Sequence, residues 1–132
     1  MFKDADPNSK QWKNRQRTMV FMSRGITSNF RQLAMDVISL LPNSKAESKL
    51  ERKDTRETIN ALCYERSCNN FLHFECHKHQ DLFLWLGKSP NGPSLKFQVT
   101  NVHTTKELKL TGNCLKYSRP LLSFDAVFDQ KP

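Results

Sequence analysis

Long apolar runs are missing from this chain of 132 residues. None approaches the roughly 18 consecutive apolar residues that a membrane-crossing helix needs, which excludes a transmembrane helix. The opening stretch MFKDADPNSKQWKNRQR has no apolar segment, so a secretory signal is not expected. Glycine is scarce, at four, and no Walker A loop, G-x-S-x-G or H-E-x-x-H string occurs. Hydrophobic residues, at 37%, fall below the usual apolar share. Aromatic residues are not lacking: nine Phe and two Trp are too many for a chain that stays disordered. A chain of this length can bury a core without disulfides or metal. Its four cysteines are Cys63, Cys68, Cys76 and Cys114. Without a secretory signal they are expected to be reduced and partly buried, which points to an intracellular compartment.

Charge is abundant and uneven. The formal net charge is +8. Residues 1–31 carry seven cations against Asp4 and Asp6, whereas residues 32–70 balance and the remainder adds little. A basic arm on a near-neutral body points to a polyanionic partner.

Along the chain, residues 1–16 read as an extended polar arm. Residues 18–23, TMVFMS, are apolar on both faces, as in a central strand covered on both sides. After Arg24-Gly25, a helix capped by Thr27 or Ser28 is expected to run to Leu41, with Phe30, Leu33, Ala34, Val37, Ile38 and Leu41 at helical spacing. Pro42 stops it. Residues 43–57 read as a polar surface connection leading to a helix over 54–66. Strands follow at 71–77, 82–86 and 95–99. In the last of these, Leu95, Phe97 and Val99 are expected to face inward. The turn SPNGPS spans 89–94 between the last two strands, where Asn91-Gly92 suits a tight hairpin, which makes the sheet mixed. A helical turn over 104–110, a loop over 111–120 and a further strand over 121–128 complete the reading. The strand–turn–helix opening and the short later connections together give an α/β class.

Three catalytic or metal readings fail on geometry. Cys63, Cys68, His73, Cys76, His77 and His79 crowd together, but their spacing fits no zinc-finger pattern. Strand alternation places Cys76 and His77 on opposite faces, so no metal is expected. No local signature frames a Cys/His nucleophile, and no catalytic residue is assigned. The stretch Gly87–Ser94 resembles a phosphate loop only loosely, because Pro90 and Pro93 remove N–H donors that such a loop uses. The basic arm is the stronger signal. Trp12 lies among Lys10, Lys13, Arg15 and Arg17, so that cations could neutralise phosphates while a ring stacks on an unpaired base. Arg24 and Arg31 flank the first helix start, and Lys88 sits on the hairpin turn. Lys10, Trp12, Lys13, Arg15, Arg17, Arg24 and Lys88 are the candidate RNA contacts.

The strings WKNRQRTMVFMSRGI (12–26), SNFRQLAMDVISLLPNSKAESKLERKD (28–54), QDLFLWLGKSPNGPSLKFQVTNVHT (80–104) and LKLTGNCLKYSRPLLSFDAVFD (108–129) together resemble the Brix-domain family. GNCLKYSRPLLSFD is the most specific of these, and SPNGPSLKF matches the family's Gly-Pro turn before a Phe-bearing strand. The resemblance implies a fold of two anticodon-binding-like α/β halves. This chain would supply the first half over residues 17–120 and the opening strand of the second over 121–132. It implies a nuclear, nucleolar factor for the large ribosomal subunit that binds precursor ribosomal RNA, other assembly factors and ribosomal proteins. It implies no catalysis, cofactor, membrane or small-molecule substrate. The alternative is a protein-docking module within an assembly complex that touches RNA only incidentally.

Overall fold

A computed structural model of the chain describes residues 16–47, 50, 56–109 and 121–126. The first strand, β1 (Thr18–Met22), is followed by helix α1 (Ser28–Leu40) and a short strand β2 (Ser44–Ala46). Helix α2 (Arg56–Glu65) leads into β3 (Asn70–His77), β4 (Asp81–Lys88) and β5 (Ser94–Val99), and a single turn, α3 (Thr105–Leu108), follows. The five strands form one sheet in the order β2-β1-β3-β4-β5. β1 runs parallel to β2 and β3, whereas β3–β4 and β4–β5 are antiparallel. This is the mixed-sheet α/β architecture expected from the sequence.

β1 organises the sheet. Met19, Val20 and Phe21 have no exposed surface. Successive side chains alternate across the sheet, so the strand feeds two cores. Val20 and Met22 join Leu72, Phe74, Cys76 and Leu82 under α1, which contributes Phe30, Leu33, Ala34, Val37 and Ile38. Met19 and Phe21 meet Leu50, Cys63, Cys68 and Phe71 under α2, which adds Ile59 and Leu62. Each such side chain contributes roughly 1.5–3 kcal/mol when fully buried.

The ends of α1 follow from local chemistry. Thr27 Oγ1 accepts the Phe30 N–H at 3.4 Å, satisfying one of the free donors of the first turn. At the other end Leu41 is extended (φ −78°, ψ 125°), the conformation that the following Pro42 imposes. Gly25, at φ +79°, makes the turn between β1 and α1 in a region that side-chain-bearing residues rarely occupy.

Three expectations from the sequence differ from the structure. Residues 44–46 form β2 inside what reads as a surface connection; the segment is polar because it lies at the sheet edge and pairs through backbone alone. The β4–β5 connection, residues 89–93, matches the turn that the sequence predicts over 89–94, and the pairing ends at Gly87–Ser94. Leu95 and Phe97 are not inward: they are 59% and 47% exposed, and only Val99 of that set packs on the core. β5 is the edge strand, and the cover provided by α1 thins out before reaching it. Residues 121–126 form no strand, since they join no ladder; Leu121, Leu122 and Phe124 are all exposed. The remaining two residues of that expected strand, and the loop over 111–120, lie outside the described residues. Cys63, Cys68 and Cys76 are buried free thiols.

A buried acid fastens the segment after β5 to α1. Asp36, 8% exposed, accepts the Thr105 N–H at 3.0 Å and the Thr105 hydroxyl at 2.9 Å, together with the Gln32 amide at 2.8 Å. Desolvation works to raise the Asp36 pKa, but these hydrogen bonds and nearby Lys106 outweigh it and lower the value from 3.8. Asp36→Ala is expected to destabilise the fold by about 1–3 kcal/mol in denaturant titration, because Thr105 loses a charged acceptor. Because the folded pKa is depressed, the contribution of Asp36 is fully present above about pH 4 and fades as pH falls further. A variant as stable as the parent at neutral pH contradicts this role.

Candidate nucleic-acid interface

Two of the seven candidate contacts converge at one end of the sheet. The Arg17 carbonyl accepts the N–H groups of Asn69 and Asn70 at 3.0 and 3.1 Å, and the Asn69 carbonyl accepts the Ser89 N–H at 2.8 Å. Arg17 therefore lies at the same end of the sheet as Lys88, the last residue of β4, with β3 between them, and both are exposed. Arg24 lies at the opposite end of β1, roughly 20 Å away at about 3.3 Å per residue, directly after Ser23. Lys10, Trp12, Lys13 and Arg15 lie outside the described residues.

Between the two ends runs a groove of about 820 Å³ on the α2 side of the sheet. Ser23 lines one end; Lys88, Pro90 and Gly92 line the other. Phe71, His73, Glu75 and Trp85 also line it, and Arg56 and Asn60 come from α2. The sheet register explains this lining. His73 pairs with Trp85 and Trp85 with Lys96, so one row across β3, β4 and β5 presents these side chains on the same face. The next row presents Glu75, Phe83 and Gln98. A second groove of about 610 Å³ adjoins at the Arg17 end and shares Pro90; the exposed Tyr64 of α2 lines it.

Glu75 holds this face together. It accepts the Trp85 indole N–H at 2.8 Å, contacts His77 Nε2 at 2.8 Å and pairs with Lys96 Nζ at 3.2 Å. Partial burial alone would raise its pKa, but the hydrogen bonds from Trp85 and His77 and the Lys96 ammonium bring it down to about 2. The same ammonium sits 4.4 Å from the Phe83 ring centre and 4.7 Å from that of Trp85. His77 meets Phe83 edge-on at 5.3 Å. The result is a fixed aromatic surface with an internally balanced charge. The other cations of the groove, Arg56 and Lys88, stand on its rim.

The sequence reading missed Trp85, Arg56 and Tyr64. Trp85 sits in LFLWL, which is apolar on both faces and reads as core. The available signal was cross-strand: alternation already placed His73, Glu75 and His77 together, and pairing LFLWL against them puts Trp85 and Phe83 on the same side. Cys76 and His77 do lie on opposite faces, Cys76 in the core under α1 and His77 against Phe83. Among the described residues, no group of three or more His, Cys, Asp or Glu side chains is placed to hold a metal ion. No helix among them is long and apolar enough to cross a membrane.

These features define an α/β scaffold with a lined groove on one face of a mixed sheet. The Brix domain model matches residues 23–132, so the chain belongs to the Brix-domain family. It is 53% identical over 122 residues to the ribosome biogenesis protein BRX1 homolog of Homo sapiens, a match covering 92% of this chain and 35% of that protein. It is 50% identical over 125 residues to the ribosome biogenesis protein BRX1 of Saccharomyces cerevisiae, covering 95% and 43%. The chain thus spans less than half the length of these relatives. The fold also resembles the crystal structure of a probable ribosomal biogenesis protein from Aeropyrum pernix K1, with a TM-score of 0.58 at 14% identity, covering 71% of this chain and 53% of that one. At that identity the likeness concerns the fold alone.

Gly87 makes room for Phe71, one of the groove's lining residues. A Cβ added there would come within 2.4 Å of the Phe71 ring, which packs against the backbone of β4. Gly87→Ala is expected to displace Phe71 and to lower stability by about 1–3 kcal/mol, read from the denaturation midpoint. An unchanged midpoint would show that Phe71 is free to move aside.

Proposed function

We propose that this chain acts in ribosome biogenesis by binding precursor ribosomal RNA during maturation of the large subunit, in the nucleolus, alongside other assembly factors and ribosomal proteins. The observation that carries this reading is that Arg17 and Lys88 stand at the same end of the sheet, Lys88 lining an aromatic groove and Arg17 the groove adjoining it, in a chain about 50% identical to proteins named for ribosome biogenesis. Lys10, Trp12, Lys13 and Arg15 precede Arg17 directly in sequence and extend its cationic run. Lys88 and Arg56 contact phosphates at the rim, and Arg24 extends the track past Ser23. Phosphate neutralisation supplies affinity with little sequence preference. The chain itself performs no catalysis in this reading and uses no cofactor.

A second reading, protein docking, draws on a different face. Leu95 and Phe97 leave an apolar strip on β5, on the side opposite the groove. Assembly factors dock there in this reading, through contacts that change little with salt.

The salt dependence of RNA binding separates the two. Replacing Lys13, Arg15 and Arg17 with Ala is expected to flatten the slope of log affinity against log salt by up to about 2–3 units, and Lys88→Ala by up to about 1, at roughly 0.7–0.9 per phosphate. Arg31→Ala, on exposed α1 across the sheet, is expected to leave it unchanged. Equal slopes for all three variants and the parent would refute the RNA reading and leave docking as the principal role.

A further inference from the structure

The cationic arm and rim explain attraction to any polyanion, single- or double-stranded. They do not explain the aromatic floor. We infer that the groove beside α2 is a receptor for an unpaired base of single-stranded RNA, with Trp85 as the stacking platform and Arg56 and Lys88 as clamps on the flanking phosphates. This inference rests on the RNA-binding reading above and assigns it a second, structurally distinct contact.

Four observations carry it. First, a volume of about 820 Å³ lies within the range of about 300–1,000 Å³ typical of small-ligand sites, enough for a splayed base and its sugar. Second, the Trp85 side chain is only half-buried although its strand is central, because α2 covers the Phe71 end of this face and stops short of Trp85. Third, the indole is immobilised before any ligand arrives. Its N–H is held by Glu75, and Lys96 sits over its ring at 4.7 Å. A ring already fixed loses little freedom when a base stacks on it, and a stack tolerates any base because all have a π-face. Fourth, charge and hydrogen bonding are arranged for a nucleotide. Glu75 is neutralised internally by Lys96, leaving Arg56 and Lys88 as rim cations with Glu57 the one further acid of the lining. Asn60, held through its side-chain oxygen by the Ser89 hydroxyl at 3.2 Å, and Asn91 add amide groups of the kind that meet base edges. Duplex RNA cannot present a base in this way, since its bases are stacked and paired.

Trp12 and Trp85 are the only tryptophans, which makes the test direct. In this 132-residue chain carrying Trp12→Phe, Trp85 is the sole indole reporter. A short oligouridine RNA is expected to quench its emission with a midpoint matching the binding constant, whereas a blunt RNA duplex binds without quenching. Trp85→Leu is expected to weaken oligouridine binding by roughly 5- to 150-fold, and Trp85→Phe, which keeps a ring, by much less. Thermal unfolding of each variant checks the fold; if Trp85→Leu does not fold, the quenching titration and Trp85→Phe still decide. Oligouridine binding that leaves Trp85 emission unchanged, or equal quenching by the duplex, would overturn the groove assignment while leaving the arm's role intact. Absence of any RNA binding would overturn both.

Discussion

Everything described depends on β1 being buried on both faces. A strand covered on one side only would give one core and leave the other face to solvent. Here Met19 and Phe21 require α2, and Val20 and Met22 require α1, so both helices are fixed relative to the same strand. That constraint sets the parallel pairing of β1 with β2 and β3. It also determines what is left uncovered. The helices pack chiefly on the β1–β3 side; β4 still feeds the α1 core through Leu82 and Leu84, whereas β5 is exposed apart from Val99. One exposed area is the aromatic row of Trp85 and Phe83 with Lys96; the other is the apolar strip of Leu95 and Phe97. The two surfaces proposed for binding are the regions that the double-sided core does not reach.

The two surfaces differ in chemistry, and the difference bears on what each can bind. The α2 side combines rings with fixed charges, and Glu75 serves as the common acceptor that locks Trp85 and Lys96 in place. Its pKa near 2 means that the Glu75 carboxylate stays ionised across the physiological range. In the proposed binding mode, attraction at the rim and stacking at the floor act over different distances: the first gathers RNA from afar and weakens with salt, the second acts at contact and distinguishes unpaired from paired strands. The β5 strip has no such charges and suits contacts insensitive to salt.

Local patterns made much of this legible. The two-sided apolar run 18–23, the helical spacing from Phe30 to Leu41, and the alternation of Leu72, Phe74 and Cys76 each reflect burial directly, and each appears in the structure where expected. The failures share one cause. Whether Leu95 and Phe97 face a core, whether Ser44–Ala46 forms a strand and whether 121–126 joins a ladder depend on which neighbours arrive, and periodicity does not encode neighbours. Candidate contacts divided in the same way. Charge density nominated the arm and Arg17, because cations are counted residue by residue, and Lys88 was nominated from its place on the hairpin turn. Trp85 and Arg56 were not nominated, because their places in the groove arise from register between β3 and β4 and from the position of α2, neither of which is local.

The central claim is that RNA lies along the α2 side of the sheet, entering at the Arg17–Lys88 end. Ultraviolet crosslinking of the protein within purified precursor ribosomal particles, followed by mass spectrometry of the nucleotide-bearing peptides, tests it most directly. Crosslinks are expected in the arm around Trp12 and in peptides containing Phe71, Trp85 or Lys88. Crosslinks confined to α1 or to the Leu95–Phe97 strip, with none in these peptides, would contradict the account.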